Sequence, residues 1–251
     1  MIAIRGLLLL LLVAIAQPAA AQGINVKEDA ARINVRLGLE YMRQGQLAIA
    51  QEKIDRALQQ DPRNASVQLG AGLLYEQLRE PKRAEKHFRD AVRLEPRNPD
   101  AHNALGAFLC RNGQGRKGEA AFLEAAANPI YRTPEVALTN AAVCARKDGR
   151  LDQSEEYLRL ALARRSSYSE ALVQMAGVSF EQGNMMQARA FLERYLAAVP
   201  ATPDVLLLGF QIETGLGDAA AAARYAERLR TSHAASPETR VVEELARRDS
   251  P

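Results

Sequence analysis

The sequence has 251 residues and a formal net charge of +3, with no tryptophan and 5% aromatic residues. A charge this close to balance excludes strong electrostatic attraction to nucleic acid, whose binding depends on neutralising many phosphates. Its richness in Ala, Leu, Arg, Gln and Glu favours packed helices over sheets.

The first 21 residues have the features of a secretory signal peptide. Arg5 precedes an apolar run over 7–16, which is about half of the ~20 residues that a membrane-spanning helix needs. Ala19 and Ala21 then supply the small residues that signal peptidase accepts. We therefore expect cleavage after Ala21, a mature chain that begins at Gln22, and a periplasmic location.

Attachment to a membrane is a separate question, because a bacterial lipoprotein carries its lipid on a cysteine directly after the signal peptide. The first cysteine of this sequence is Cys110. No N-terminal lipid anchor is therefore predicted, and any association with the outer membrane is expected to run through a partner.

A period of 34 residues begins after a lead-in over residues 22–30. Five positions of the segment 31–64 recur in the segment 65–98 at this spacing. They are Gly38 and Gly72, Tyr41 and Tyr75, Ala50 and Ala84, Ala57 and Ala91, and Pro62 and Pro96. This pattern resembles the tetratricopeptide repeat, in which each unit is a helix, a turn and a second helix.

The resemblance implies an all-α fold, a right-handed superhelical solenoid of six tetratricopeptide repeats. Each unit would bury its apolar face only by stacking on its neighbours, and the first helices would line the inner surface. The repeats are expected at 31–64, 65–98, 99–134, 135–168, 169–202 and 203–236, with a C-terminal helix or tail at 237–251.

Motifs for catalysis and cofactor binding lack the structural context that they require. GQGRKG, at 113–118, matches a dinucleotide-binding pattern that needs a preceding strand, but a helical pattern precedes it here. The three histidines, His87, His102 and His233, lie in different repeats without the spacing of metal ligands. We therefore predict a protein that is not an enzyme, has no cofactor or metal, and binds another protein rather than nucleic acid or a small molecule.

The candidate binding residues occupy outward positions on the first helices of the first two repeats. Aliphatic, methionine and arginine side chains of this kind suit an apolar or amphipathic peptide. The alternative is that Leu39 and Leu73 only pack between repeats. The candidates are Arg32, Val35, Leu39, Met42, Arg43, Leu69 and Leu73.

The period lengthens by two residues in the third repeat, within the stretch NPIYRTPEVALTNAAVC at 128–144. Asn128 and Pro129 end one predicted helix, Pro134 begins the next, and Tyr131 lies on the connection. An insertion of this length in a surface loop has little energetic effect, so a tolerated loop is one interpretation.

The same stretch also resembles the signature of the type IV pilus biogenesis and stability family, the PilF/PilW or pilotin proteins. The matching residues of an NPxYxTPxxAxxNxxxC pattern are Asn128, Pro129, Tyr131, Thr133, Pro134, Ala137, Asn140 and Cys144. The resemblance implies a periplasmic scaffold that helps the secretin, the pilus exit channel, to reach or multimerise in the outer membrane, or that supports pilus stability. The partner would be the secretin or another pilus assembly component. The alternative is a scaffold of another envelope machine, for polysaccharide export or secretion.

Cys110 and Cys144 are one repeat length apart, on the first helices of the third and fourth repeats. Secretion would place both in an oxidising compartment, where an even number of cysteines usually indicates pairing. The alternative is that they are two small buried hydrophobic residues. The compartment and the family resemblance together favour a disulfide.

The signal peptide leads to a test of processing. We expect the protein isolated from the periplasm to begin at Gln22 and to carry no acyl group, because cleavage would follow Ala21. Mass spectrometry of the intact protein measures both properties. An acylated or uncleaved N-terminus would contradict the prediction.

Overall fold

The structure, a computed structural model, describes residues 26 to 248, which form thirteen α-helices and no strand in that range. The predicted signal peptide and its cleavage site lie outside the described residues. The helices are α1 (Val26–Arg43), α2 (Leu47–Gln60), α3 (Ala65–Gln77), α4 (Pro81–Leu94), α5 (Pro99–Arg111), α6 (Gly115–Ala127), α7 (Pro134–Lys147), α8 (Leu151–Arg164), α9 (Ser169–Glu181), α10 (Met185–Leu196), α11 (Pro203–Gly215), α12 (Ala219–Ser232) and α13 (Pro237–Arg248).

Consecutive helices pair from α1 with α2 to α11 with α12, and α13 packs against the last pair. The predicted all-α solenoid of helix pairs is therefore confirmed. Helices α3, α5, α9 and α11 begin at the first residue of their predicted repeats. Helix α1 begins earlier, at Val26, so part of the lead-in is helical, and α7 begins at Pro134, one residue before its repeat. Proline suits this first helical position because its fixed φ is already helical.

In the first three pairs, a glycine on the first helix faces a large side chain on the second. A Cβ atom added to Gly72 would lie 2.8 Å from Cδ1 of Phe88, which is fully buried. Only the absence of a side chain allows this approach, so the small residues of the repeat set the distance between the paired helices. The pairs are Gly38 with Ile54, Gly72 with Phe88, and Gly106 with Phe122.

The turn between the paired helices has the same backbone conformation throughout the array. A glycine with a φ between 73° and 78° occupies it in five pairs, as Gly45 does in the first. In the second pair Arg79 adopts the same left-handed conformation with a φ of 60°, although this conformation costs a residue with a side chain about 1–2 kcal/mol. The turn therefore keeps its geometry even where glycine is absent.

The first helices form the inner surface of the array. They contact one another in the series α1, α3, α5, α7, α9 and α11. Among the described residues, each second helix from α2 to α10 contacts only the first helix of its own pair and that of the next. Because the first helices lie closer together than the second, the array bends around them and they line a concave surface.

Three buried glutamates pair with arginines elsewhere in the array. Glu119 of α6 accepts hydrogen bonds from Arg150, which precedes α8. The other two pairs are Glu135 with Arg165 and Glu213 with Arg189. Because an unpaired buried carboxylate is strongly destabilising, these arginines hold neighbouring elements together.

The junction between the third and fourth repeats contains the two-residue insertion and a disulfide. The structure joins Cys110 of α5 to Cys144 of α7, with 5.7 Å between their Cα atoms. Cys144 is fully buried, and its Sγ lies 3.6 Å from the carbonyl oxygen of Gly115. The bond thus connects two first helices at the place where the repeat length changes.

This disulfide should contribute to stability by restricting the unfolded chain. For a loop of this length the chain-entropy treatment predicts a loss of about 4 kcal/mol in the free energy of unfolding upon reduction. Urea denaturation of the oxidised and reduced protein measures the difference, and thiol counting on the denatured, unreduced protein reports the bond directly.

The matched control is the double variant Cys110→Ala and Cys144→Ala, whose stability should not change with reductant because it has no thiols. Two free thiols in periplasmic material, or equal stability of the oxidised and reduced protein, would contradict the prediction.

Candidate functional site

The concave surface opens between α1 and α3 into a depression that we call the N-terminal groove. Four of the seven predicted binding residues, Leu39, Met42, Arg43 and Leu73, lie together in it. Its full lining is Leu39, Met42, Arg43, Leu73, Glu76, Gln77 and Arg111.

The floor of the N-terminal groove is apolar. Leu39 and Met42 are half-buried and pack against the core of the first three repeats. Leu73 is 36% exposed on the neighbouring helix. The sequence left open whether these side chains form a binding surface or only pack between repeats. In the structure they pack between repeats and also present an apolar strip to solvent.

The walls of the N-terminal groove are polar but locally neutralised. Arg111 of α5 donates two hydrogen bonds of 2.8 Å to the carboxylate of Glu76 on α3. Arg43, at the opposite wall, pairs with Glu40 one turn earlier in α1. Because both arginines have carboxylate partners, the groove combines an apolar floor with little net charge and suits an apolar or amphipathic segment.

The remaining three predicted groove residues lie elsewhere. Val35 is only 7% exposed, because it packs where Gly70 of α3 has no side chain; it belongs to the core, which corrects its placement in the groove. Leu69 is half-buried against the same core. Arg32 is exposed nearer the start of α1 and forms an ion pair of 3.1 Å with Asp29.

The connection between α6 and α7, residues 128–133, is fastened to the loop of the preceding repeat; with Pro134 we call it the signature loop. Asn128 Nδ2 donates a hydrogen bond of 2.5 Å to the carbonyl oxygen of Arg97, and Asn128 Oδ1 accepts one of 3.0 Å from the backbone N–H of Ile130. One amide side chain therefore shapes its own turn and ties two loops together. The two loops border a cleft in which Ile130 is 75% exposed.

The other signature residues also have structural positions at this junction. Pro129 follows the C-cap of α6, Thr133 is the N-cap of α7, and Pro134 is its first residue. Tyr131 packs against the core cluster formed by α6, α7, α8 and α9, and this burial raises the pKa of its hydroxyl. Asn140 Nδ2 donates a hydrogen bond of 3.1 Å to Oδ1 of Asn103, joining α7 to α5.

Comparison with known proteins identifies the repeat type and a set of relatives. Tetratricopeptide repeat families match residues 35–99, 69–134 and 145–209. The type IV pilus assembly protein PilF of Pseudomonas aeruginosa is 23% identical over 212 residues, which are 84% of each chain. PilW, described as a widely conserved type IV pilus biogenesis factor, is 31% identical in sequence to this chain. Its crystal structure matches the present structure with a TM-score of 0.77 over 84% of this chain and 97% of PilW.

The chain belongs to the PilF/PilW family of type IV pilus biogenesis proteins. A solved structure of P. aeruginosa PilF, at 22% identity, has the same fold, with a TM-score of 0.75 over 88% of this chain and 99% of that one. The chain is therefore a tetratricopeptide protein of type IV pilus biogenesis, and tetratricopeptide proteins bind protein partners.

Two further observations describe this PilF/PilW-family chain. No group of three or more His, Cys, Asp or Glu side chains in the described range is arranged to hold a metal ion. Between residues 26 and 248, no helix combines the length and the apolar character that crossing a membrane would require.

Three residues that line the N-terminal groove are not among the seven candidates predicted from the sequence. They are Gln77 and the ion-paired residues Glu76 and Arg111. Glu76 and Arg111 are 35 residues apart in the chain. Opposite charges separated by about one repeat length are therefore a signal from which such a contact between neighbouring first helices can be predicted.

The role of Asn128 in the signature loop can be tested by removing one hydrogen-bond donor. Asn128→Asp should lower the free energy of unfolding by about 0.5–1.5 kcal/mol, because a carboxylate cannot donate to the Arg97 carbonyl and would face it. Urea denaturation measures the change. Ile130→Ser, in the same loop but largely exposed, is the control and should stay within about 0.5 kcal/mol of the original. Equal stability of the Asn128→Asp variant and the unmodified protein would contradict this role.

Proposed function

We propose that this chain is a periplasmic protein-binding scaffold of type IV pilus biogenesis that binds the secretin through the N-terminal groove. In this role it assists the localisation or multimerisation of the secretin in the outer membrane. The observation that carries the proposal is the apolar strip of Leu39, Met42 and Leu73 on a concave surface with ion-paired walls. Membership of the PilF/PilW family supports the cellular process.

The groove favours a partner segment with several apolar side chains on one face. Burying one leucine-sized side chain contributes about 1.5–3 kcal/mol, whereas association itself costs about 4–15 kcal/mol. A single apolar contact is therefore too weak, and several anchors at regular spacing are required. An amphipathic segment of the secretin meets this requirement.

Association with the outer membrane would then run through the bound secretin. The sequence has two cysteines, and the structure joins them to each other. A sulfur atom in a disulfide cannot also carry a thioether-linked lipid, so neither cysteine of the folded protein provides an anchor.

The groove is tested by adding charge to its floor. The double variant Leu39→Glu and Met42→Glu should capture at most about one tenth of the secretin that the unmodified protein captures from envelope extract. The reason is that a carboxylate placed against apolar partner atoms is strongly disfavoured. Immobilised protein and immunodetection of the bound secretin measure the loss, and circular dichroism checks that helicity is unchanged. Leu73→Glu, at a more exposed position, gives a second variant with less risk to the fold.

The matched control is Glu193→Lys, an exposed charge reversal on α10 of the fifth repeat, which should bind the secretin normally. Equal loss of binding in this control would place the binding surface elsewhere. Normal secretin multimers and normal twitching in a deletion strain would instead favour another envelope machine.

A further inference from the structure

The concave surface has a second pocket in its C-terminal half, between α9 and α11, which we call the acidic pocket. Its volume is about 490 Å³, which is larger than any single side chain. Glu170 and Asp204, the second residues of the fifth and sixth repeats, lie in its lining, together with Arg146 of α7. It therefore differs from the N-terminal groove both in position and in the chemistry of its walls.

The positive charge of Arg146 is paired with a carboxylate. Its guanidinium donates hydrogen bonds of 2.7 and 3.1 Å to the carboxylate of Glu181. It lies against Gly177, where an added Cβ would be 2.7 Å from Nη2. Glu181 thus neutralises Arg146, and the pocket keeps the negative charges of Glu170 and Asp204.

These two carboxylates are held differently. Glu170 Oε1 accepts a hydrogen bond of 2.9 Å from Gln174 Nε2, and Gln174 Oε1 in turn accepts one of 3.0 Å from Arg146. Asp204 lies in the first turn of α11, where a negative charge favours the helix. Within the described residues its side chain has neither an ion pair nor a hydrogen bond, so this carboxylate is available to a ligand.

Tyr195 adds a fixed hydrogen-bonding group to the acidic pocket. It comes from α10, a second helix, and its ring belongs to the core cluster that contains Leu172 and Val205. Only 8% of the residue is exposed, yet it lines the acidic pocket and its hydroxyl makes no hydrogen bond to any residue between 26 and 248. The hydroxyl oxygen is accessible from the pocket rather than enclosed by protein, so a ligand in the pocket can hydrogen-bond to it in place of solvent.

The electrostatics of Tyr195 agree with a pocket that attracts cations. Burial raises the pKa of the Tyr195 hydroxyl, and the nearby carboxylates of Asp204 and Glu170 raise it further. The hydroxyl therefore stays neutral at physiological pH, and its oxygen can accept a hydrogen bond. Two carboxylates and one phenol oxygen provide a set of acceptors that suits the several N–H donors of a guanidinium or ammonium group.

We propose that the acidic pocket binds an arginine or lysine side chain of a protein segment lying along the concave surface. The presence of such a segment on the concave surface rests on the proposed function. The preference of the pocket for a cation can be measured without the secretin. A partner would thus place apolar anchors in the N-terminal groove and a basic residue in the acidic pocket.

The test uses small probes and the purified protein. N-acetyl-arginine amide and N-acetyl-lysine amide are titrated while the ring resonances of Tyr195, assigned with a Tyr195→Phe variant, are followed by NMR. N-acetyl-citrulline amide, which resembles the arginine probe in shape but has no charge, is the matched ligand control. At least one cationic probe should give saturable shifts with an affinity about fivefold or more above that of citrulline.

Variants locate the effect in the pocket. Asp204→Asn and Glu170→Gln should each weaken binding of the cationic probe about fivefold, because each removes one charge-assisted contact. Glu227→Gln, which removes an exposed carboxylate from α12, should leave the affinity unchanged. Equal binding of citrulline, no saturable shift with either cation, or full affinity in the Asp204→Asn variant would overturn the proposal.

The two proposals fail in different ways. The Leu39→Glu and Met42→Glu variant should bind the cationic probe normally, since its substitutions lie in the first repeat. Loss of secretin capture with retained probe binding therefore supports two separate sites. Secretin capture with no probe binding by the unmodified protein overturns the acidic pocket alone.

Discussion

The close approach of the two helices within each repeat is the contact on which the rest of the structure depends. Gly72 has no side chain, so its helix can pack closely against Phe88 of the paired helix. Gly38 and Ile54 make the same contact at the equivalent position of the preceding repeat. Pairs of similar geometry stack with their first helices in mutual contact. Curvature follows from this arrangement, and with it a concave surface on which successive repeats present side chains to one partner.

That concave surface is held together by contacts between neighbouring first helices. Glu76 pairs with Arg111, and Arg146 pairs with Glu181, at the same separation of 35 residues but with the charges exchanged. Between these two ion pairs, the disulfide joins the third repeat to the fourth. The inserted signature loop is thus accommodated where a covalent bond limits the relative movement of the adjacent units.

The central junction lies between two surfaces of different chemistry. The N-terminal groove is apolar with paired charges, whereas the acidic pocket has two carboxylates and the hydroxyl of Tyr195. The disulfide at the junction limits changes in the distance between them, which would lower the entropic cost of binding a segment that reaches both. A flexible junction would lose part of that advantage even if every contact within the two sites were intact.

The repeat period and the paired helices could be derived from the sequence, because glycine, proline and small residues at fixed spacing are local signals. The signature loop rested on the resemblance to the PilF/PilW family, and the candidate cysteine pair rested on that resemblance together with the expected oxidising compartment. Side-chain placement between units could not be derived. Val35 has an outward position on its own helix, but Gly70 of the next repeat leaves the space that buries it. Tyr195 belongs to a second helix, yet its hydroxyl reaches the inner surface. Both outcomes depend on how one repeat rotates against the next, and that rotation is set by packing between units rather than by the pattern within one.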